Sequence, residues 1–346
     1  MSVDIWWKKK RKYFRLCRAY LRNRFGSTAL FVRIIPTDKC NLNCSYCWQR
    51  EDNPVEMTEE AFCAYLRRAR NLGAGVISFL GGEPMAWEPI YRAVAACTGE
   101  HILSDLTTNG TLLTAENIVS LGQAGLDYLN ISVDVVQSTE VSAKNAIFRE
   151  GVLDNLVAAK AAYKMRFRVN TVLYRENIEA VKELIEFTGR RRVPISIGYI
   201  VPPHDKSTIQ NPEIYFTPDD EDLLRDIIAF IEDRKKLGYR IIDPQEYFDN
   251  IFRYLRGESF WQCNYPKRFG WINISPAGRL RTCTKKMDET EHNFLDLDAK
   301  QLKRYRSSLV EKVAECNPSC YSNCAYVGYY YLNNKRKIFQ KVLVGW

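Results

Sequence analysis

Three cysteines, Cys40, Cys44 and Cys47, stand within eight positions and are the residues best suited to metal chemistry. No fourth ligand follows closely, because the next cysteine is Cys63 and the first histidine is His101. Structural zinc sites need four Cys or His ligands, which usually come as two separated pairs. Thiolates also suit iron–sulfur clusters, so the spacing favours a cluster held by three cysteines, with one iron open to another ligand. A small zinc-bound finger is the alternative.

The spacing C-x-x-x-C-x-x-C, with Tyr46 just before the third cysteine, resembles the cluster loop of the radical S-adenosylmethionine (SAM) enzymes, and the resemblance makes Tyr46 a candidate SAM contact. The resemblance implies that the open iron of a [4Fe–4S] cluster chelates the amino and carboxylate groups of SAM. It also implies that the reduced cluster cleaves SAM to methionine and a 5′-deoxyadenosyl radical. The cofactors carry this chemistry, and the protein supplies orientation and excludes water. The resemblance covers about residues 30–200.

A second motif, Gly81-Gly82-Glu83-Pro84, follows the second apolar run of the chain. Paired glycines let the backbone approach a ligand closely, and the carboxylate can accept hydrogen bonds from an ammonium group. The motif resembles the G-G-E motif of the same family, which binds the amino group of SAM.

Small polar residues end the next three apolar runs. They resemble the family's positions near the SAM carboxylate and ribose, and the resemblance implies one further polar contact from the fifth run. Capping of a turn or a strand is the alternative role for each. These candidates are Thr108 and Asn109, Ser132 and Asp134, and Asn170. The sequence identifies no catalytic side chain.

Short β-branched runs alternate with helical stretches from residue 30 onward, which indicates parallel βα units. Helix start signals lie between the runs, such as Thr58 before two glutamates and Thr114 before Glu116. We therefore predict an α/β fold in which residues 30–237 form a partial (β/α)6 barrel, with its site at the carboxyl ends of the strands. The predicted strands are Leu30–Ile35, Val76–Leu80, Ile102–Thr107, Tyr128–Val133, Phe167–Leu173 and Ile195–Ile200.

Residues 238–346 are predicted to form a linker and a small cysteine-rich domain. Its spacing resembles the twitch or SPASM extension of radical SAM enzymes, although five cysteines replace the usual seven or so and the last run is shortened. The resemblance implies one auxiliary [4Fe–4S] cluster held by four of the five, and a four-cysteine zinc site is the alternative. The candidates are Cys263, Cys283, Cys316, Cys320 and Cys324. Cys17, Cys63 and Cys97 fall on predicted helices, where we expect them to act as small hydrophobic residues.

Length and composition are those of a globular protein, with 346 residues of which 46% are hydrophobic. Eleven cysteines without a secretory signal indicate a reducing, cytoplasmic location. No apolar run reaches the roughly 20 residues that a membrane span needs.

The net charge of +9 belongs to the start of the chain, because residues 1–37 hold ten lysines and arginines against one aspartate. Aromatic and apolar residues recur there at helical spacing, so residues 1–29 are predicted to form a basic amphipathic helix. Such a helix could attach to the inner face of an anionic membrane, bind an acidic peptide or a polynucleotide, or pack its aromatic face on the protein body. The residues concerned are Trp6, Trp7, Tyr13, Phe14, Cys17, Tyr20, Leu21 and Phe25.

Together these features predict a radical SAM enzyme of oxidoreductase or transferase type that abstracts hydrogen from an unactivated carbon. A peptide or natural product is the expected substrate, and a membrane-associated lipid or sugar-like molecule is the alternative. An external donor such as flavodoxin or ferredoxin would supply electrons. A zinc-binding nucleic-acid module would not explain the Gly-Gly-Glu-Pro motif or a six-unit βα array that is neutral overall. An iron–sulfur electron carrier would need no barrel.

Overall fold

The computed structural model describes residues 3–23, 29–47, 53–202, 211–263, 271–283, 288–314, 316 and 320–334. In these parts nine strands form one sheet, in the order β6-β5-β4-β3-β2-β1-β7-β8-β9. Strands β1 to β6 pair in parallel with their neighbours, which confirms the six predicted strands and the partial barrel. The strands are β1 Phe31–Ile34, β2 Val76–Phe79, β3 Leu103–Thr108, β4 Tyr128–Ser132, β5 Arg166–Leu173, β6 Ile195–Tyr199, β7 Trp271–Ile274, β8 Arg279–Arg281 and β9 Glu289–Asn293.

Helices connect the strands, and two of them begin at the predicted caps. The Thr58 hydroxyl accepts a hydrogen bond from the Ala61 N–H, and the Thr114 hydroxyl accepts one from the Asn117 N–H. Each such cap stabilises its helix by about 0.5–2 kcal/mol. The helices are α1 Val3–Asn23, α2 Glu59–Asn71, α3 Ile90–Gly99, α4 Ala115–Ala124, α5 Val152–Tyr163, α6 Ile178–Arg190, α7 Glu221–Lys236, α8 Gln245–Asp249, α9 Ile251–Leu255, α10 Ala299–Ala314 and α11 Asn323–Asn333.

The two faces of the parallel strands differ in chemistry. One face packs against the helices and is apolar, as in β5, whose residues alternate between buried and half-buried. The opposite, inner face is polar. Asn130 donates to the carboxylate of Asp105 at 2.6 Å, and Arg168 donates to the side-chain oxygen of Asn130 at 2.6 Å. The interior of the barrel therefore offers charged and amide groups to whatever enters it.

The cysteine-rich extension joins the barrel sheet directly. Strand β7 pairs in parallel with β1, with Phe31 opposite Trp271, and β8 and β9 continue the sheet as antiparallel strands. Near α11, the Tyr321 ring stacks on Tyr247 at 5.0 Å and on Tyr254 at 5.1 Å between ring centroids. Edge pairing and aromatic packing thus hold the extension against the barrel.

Helix α1 lies across the amino-terminal ends of the strands, away from the rim where the candidate site is expected. Lys12 is buried and donates to Asp127, just before β4, at 2.6 Å, while Arg15 donates to the carbonyl of Ala74, just before β2, at 2.8 Å. The alternative that the helix packs its aromatic face on the body holds only for Tyr13, whose hydroxyl lies 3.0 Å from that of Tyr128. The rest of the packed face contains Lys9, Lys12, Arg15 and Ala19.

The aromatic stripe of α1 instead faces outward, with Trp7, Phe14 and Leu21 exposed by 53%, 73% and 60%. Cys17 is also exposed rather than packed as a small hydrophobic residue, whereas Cys97 is fully buried. Phe25 and the side chain of Trp6 lie outside the described residues. No helix in the described part of the chain is long and apolar enough to cross a membrane.

Candidate metal and cofactor site

The three thiols of the cysteine motif lie on the loop that follows β1, at the carboxyl end of the barrel. Neighbouring loops fix its path, because the Asp38 N–H donates to the carbonyl of Val55 at 3.0 Å and the Ser45 N–H to the carbonyl of Val141 at 3.1 Å. Cys44 is 8% exposed, while Cys40 and Cys47 are open to solvent. The loop therefore presents thiols at the surface where parallel barrels carry their sites.

No three cysteine, histidine, aspartate or glutamate side chains among the described residues are grouped as ligands of a single metal ion. The cysteine loop has three thiols and soft-ligand chemistry, which fit an iron–sulfur cluster whose irons are ligated separately. The Cys40 sulfur accepts from the Leu42 N–H at 3.5 Å, and the Cys44 sulfur lies 3.8 Å from the Ser142 hydroxyl.

The glycine pair packs directly beneath the cysteine loop. The Gly82 N–H donates to the carbonyl of Thr37 at 3.0 Å, and the Glu83 N–H donates to the carbonyl of Lys39 at 2.7 Å. A Cβ atom at position 82 would lie only 2.1 Å from the Lys39 oxygen, so only glycine permits this approach. Pro84 opens a short 3-10 turn, Pro84–Ala86, that carries the chain away from the rim.

The Glu83 carboxylate is fully buried and connects the ends of β2 and β3 by hydrogen bonds. It accepts from the Met85 N–H at 2.9 Å, the Thr108 hydroxyl at 2.7 Å and the Asn109 N–H at 2.7 Å. Burial raises the pKa of Glu83, and the three hydrogen bonds lower it again in part. This geometry gives Glu83 an anchoring role at the rim, and its contact with the SAM amino group stays a prediction.

Asn109 links β3 to the cysteine loop. Its side-chain amide donates to the Asn41 side chain at 2.8 Å and lies 3.8 Å from the Cys40 sulfur. Its oxygen accepts from the backbone and hydroxyl of Thr111. The structure thus brings two predicted site residues, Cys40 and Asn109, side by side.

Asp134 and Tyr46, two predicted SAM contacts, bond to each other. The Tyr46 hydroxyl donates to Asp134, whose carboxylate also accepts from the Ser142 hydroxyl at 3.0 Å and the Val172 N–H at 3.0 Å. Burial raises the pKa of Tyr46 well above its ordinary value, so the phenol is neutral. Asp134, which follows β4, therefore connects the cysteine loop to β5 through its hydrogen bonds with Tyr46 and Val172.

Ser132 and Asn170 lie opposite each other on β4 and β5 at the same rim. The side-chain oxygen of Asn170 is buried and has no hydrogen-bond partner among the described residues, and the same holds for the Ser45 hydroxyl in the cysteine loop. Unsatisfied buried polar atoms are rare in folded proteins and call for an explanation, such as a bound molecule. Both atoms fit a cofactor with donor groups at this rim.

Lys144 is a site residue that the sequence reasoning missed. Its ammonium donates to the Tyr46 hydroxyl at 2.8 Å and lies 3.7 Å from Asp134. The only signal for it was its place in the loop after β4, at the carboxyl rim where barrel sites gather.

The five C-terminal cysteines are spread over several elements. Cys283 lies two residues after the end of β8, Cys316 follows α10 with its thiol directed to the carbonyl of Lys312, and Cys324 stands in the first turn of α11. Cys320 immediately precedes Tyr321 of the aromatic packing, and Cys324 follows that residue three positions later. Cys263, two residues after Trp261, packs against the core.

Known proteins resemble this chain in both sequence and structure. Residues 34–188 match the model of the radical SAM superfamily. A GTP 3′,8-cyclase of Marinobacter nauticus is 36% identical over 187 residues, covering 51% of this chain and 55% of that protein. A PqqA peptide cyclase of Gluconobacter oxydans is 27% identical over 265 residues, covering 71% of this chain and 68% of that protein. The chain spans about half the length of the GTP cyclases that it matches.

Two solved structures share the fold at low sequence identity. Streptococcus suis SuiB bound to S-adenosylmethionine superposes with a TM-score of 0.59 at 18% identity, covering 88% of this chain and 74% of that one. The enzyme anSMEcpe with bound AdoMet and a peptide gives a TM-score of 0.61 at 18% identity, covering 83% of this chain and 85% of that one. Residues 34–188, which carry the cysteine loop on one partial barrel, thus form a radical SAM domain, and enzymes with this domain use a [4Fe–4S] cluster and SAM.

Proposed function

We propose that this protein cleaves SAM reductively at a [4Fe–4S] cluster held by Cys40, Cys44 and Cys47. The observation that carries the proposal is the placement of the three-thiol loop directly on the Gly82–Glu83 backbone at the carboxyl rim of the barrel. When bound, the cluster and SAM would supply the electron and the 5′-deoxyadenosyl radical that abstracts hydrogen from substrate.

The chain's own residues hold and orient these groups. The hydrogen bonds from Gly82 and Glu83 to Thr37 and Lys39 set the path of the cysteine loop. Ser132 and Asn170 would meet the hydroxyl or amino groups of SAM, because the Asn170 oxygen is a buried acceptor that needs a donor.

Alanine substitutions of the three thiols test the proposal. Cys40→Ala, Cys44→Ala and Cys47→Ala should each abolish formation of 5′-deoxyadenosine after anaerobic reconstitution, because each removes a cluster ligand. Cys17→Ala is the matched control, since that thiol is exposed on α1 at the other end of the barrel. A loop variant that keeps wild-type SAM cleavage would show that its cysteine is not a ligand.

We propose a peptide or a peptide-like natural product as the substrate. The matched PqqA peptide cyclase supports this class by its name, and the polar inner face of the barrel supports a substrate rich in hydrogen-bonding groups. The lipid alternative has less support, because the inner face of the barrel is polar.

Coupled turnover distinguishes the substrate classes. Reduced enzyme and SAM are supplied with a mixed synthetic peptide pool, with GTP or with phospholipid vesicles, and 5′-deoxyadenosine is measured against the substrate-free rate. We expect an increase, together with a mass change in the substrate, in the peptide arm. An increase with GTP alone would instead indicate that this protein acts on GTP, the substrate in the name of the GTP 3′,8-cyclase relatives.

The proposal includes one auxiliary [4Fe–4S] cluster held by four of the five C-terminal cysteines, and an external flavodoxin- or ferredoxin-like electron donor. Reconstituted protein should then carry about eight irons, and Cys283→Ala about four, while uncoupled SAM cleavage survives. Four irons in the reconstituted wild type would rule out the auxiliary cluster. Stoichiometric zinc at the C-terminal cysteines would establish the zinc alternative.

We further propose that the outer face of α1 attaches the enzyme to an anionic membrane. Its exposed stripe of Trp7, Phe14 and Leu21 is bordered by exposed cations, while the opposite face is fixed to the barrel through Asp127. Each cation near an anionic surface contributes about 1 kcal/mol, and the apolar side chains add insertion. The cations are Lys8, Lys10, Arg11, Arg18 and Arg22.

Vesicle sedimentation tests the attachment with matched variants. The triple variant W7A/F14A/L21A should lose binding to vesicles of mixed phosphatidylglycerol and phosphatidylcholine, whereas V119A/V157A/L237A, also three exposed apolar residues, should keep it. Binding should weaken with salt but not vanish, because only the charge contribution is screened. Wild-type protein that stays in the supernatant at low salt would refute the attachment.

A further inference from the structure

The loop between β4 and α5 contacts the cysteine loop at three successive points. The Ser45 N–H donates to the carbonyl of Val141, the Cys44 sulfur lies 3.8 Å from the Ser142 hydroxyl, and the Tyr46 hydroxyl accepts from Lys144. Residues 141–144 therefore follow the cysteine loop side by side, and Lys144 brings the only cation of that segment to it.

The ammonium of Lys144 is held rigidly. It lies 2.8 Å from the Tyr46 oxygen and 4.9 Å from the centre of the Tyr46 ring, and Asp134 stands 3.7 Å away. Its backbone is fixed as well, because the Lys144 carbonyl accepts from the Asp134 N–H at 2.8 Å. The side chain is only 17% exposed, so water screens its charge poorly.

Lys144 brings a positive charge to the cysteine loop through its contact with Tyr46. Burial disfavours the charged form of Lys144, but the nearby carboxylate of Asp134 raises its pKa, so the side chain stays protonated. The charge lies next to Tyr46, which stands between Cys44 and Cys47 in the sequence. Asp134 offsets part of it, yet that carboxylate is shared with Tyr46, Ser142 and the Val172 N–H.

We propose that Lys144 is a positioning residue whose fixed positive charge beside the cysteine loop makes the cluster easier to reduce; this rests on the proposed cluster at Cys40, Cys44 and Cys47. Reduction adds one electron from an external one-electron donor and breaks no bond. A fixed cation nearby stabilises the more negative reduced state.

Redox titration of the reconstituted protein, followed by the electron paramagnetic resonance signal of the reduced cluster, tests the proposal. Lys144→Met should lower the equilibrium constant for one-electron reduction about tenfold, which is a fall in midpoint potential of about 59 mV. Lys144→Arg keeps the charge and should stay near the wild type. The matched control is Lys182→Met, because Lys182 is 20% exposed and paired with Glu179 and Asp226 on the outside of the barrel.

The outcomes separate this proposal from the proposed function. Wild-type protein without a cluster refutes the function itself, whereas unchanged potentials in Lys144→Met refute only the role of Lys144. Weaker SAM binding in Lys144→Met at an unchanged potential would also overturn it, because the cation would then serve SAM. Loss of iron from Lys144→Met would likewise overturn it, because Lys144 would then control uptake of the cluster rather than its potential.

Discussion

Replacing Gly82 with alanine should displace the cysteine loop without unfolding the protein. The added Cβ would lie 2.1 Å from the Lys39 oxygen, 2.6 Å from the Lys39 carbonyl carbon and 2.7 Å from the Asp38 oxygen. Heavy atoms pack at about 3.5–4.0 Å, and all three contacts are with backbone that cannot rotate away. The loop must therefore retreat by about 1 Å or more.

The retreat also strains the hydrogen bond from the Glu83 N–H to the carbonyl of Lys39, now 2.7 Å. Overpacking of this kind costs about 1–3 kcal/mol, which lowers the melting temperature by several degrees but leaves the barrel folded. Ligand geometry suffers more than stability does, because Cys40 directly follows Lys39. We expect Gly82→Ala to lose most of its iron at the first cluster and to form little 5′-deoxyadenosine.

Iron content, SAM cleavage and thermal unfolding are measured together. Gly99→Ala is the control, since a Cβ there meets no atom within 4 Å and alanine in α3 should stabilise by up to about 1 kcal/mol. If Gly82→Ala bound iron and cleaved SAM like the wild type, the close packing of Gly82 against the cysteine loop would not matter for the site, and the geometric reasoning would fail.

Three further predictions concern stability. Lys12→Met should lower the free energy of unfolding in urea by about 3 kcal/mol, at the low end for a broken buried ion pair because Lys9 still pairs with Asp127. Arg92→Gln at an exposed pair should leave the free energy of unfolding nearly unchanged. Tyr321→Ala should lower the free energy of unfolding by about 3–5 kcal/mol and make the extension more sensitive to protease. Tyr321→Phe loses only the hydrogen bond to the Tyr247 carbonyl, so it should lower the free energy of unfolding by about 0.5–1.5 kcal/mol. Burial raises the pKa of Glu83 in the folded protein above its value in the unfolded chain. The stability that this group contributes is therefore present below the unfolded-state pKa and is lost as the pH rises through the folded-state pKa. Glu83→Gln should flatten that part of the curve of melting temperature against pH.

The barrel could be predicted because its signals are local. Each of the six strands is a short apolar run, and caps such as Thr58 and Thr114 mark the helices between them. The pairing of β7 with β1 has no such signal, since Phe31 and Trp271 are opposite each other only in three dimensions. The sequence therefore indicated a separate domain where the structure shows strands that continue the barrel sheet.

The orientation of α1 was undecided for a similar reason. Its amphipathic pattern predicted two faces, but an aromatic stripe with cations beside it suits both a core contact and a surface contact. The deciding residue is Asp127, a carboxylate that precedes β4 and draws Lys9 and Lys12 inward. Which lysines find a buried partner depends on the tertiary fold, so the sequence of the helix alone could not settle it.

The cysteine loop is held from two sides, and the two sides differ in what they control. Gly82 and Glu83 bond to backbone carbonyls and so determine where the thiols lie, whereas Lys144 contacts a side chain and brings charge. A glycine pair at a strand end can be recognised in a sequence, because it indicates a special backbone conformation or close approach. A lysine in a polar loop cannot be distinguished in this way from any surface lysine. Gly82→Ala should therefore reduce the amount of cluster, while Lys144→Met should leave the amount intact and shift its potential. A variant that changed both quantities from either side would show that position and charge are coupled in this loop.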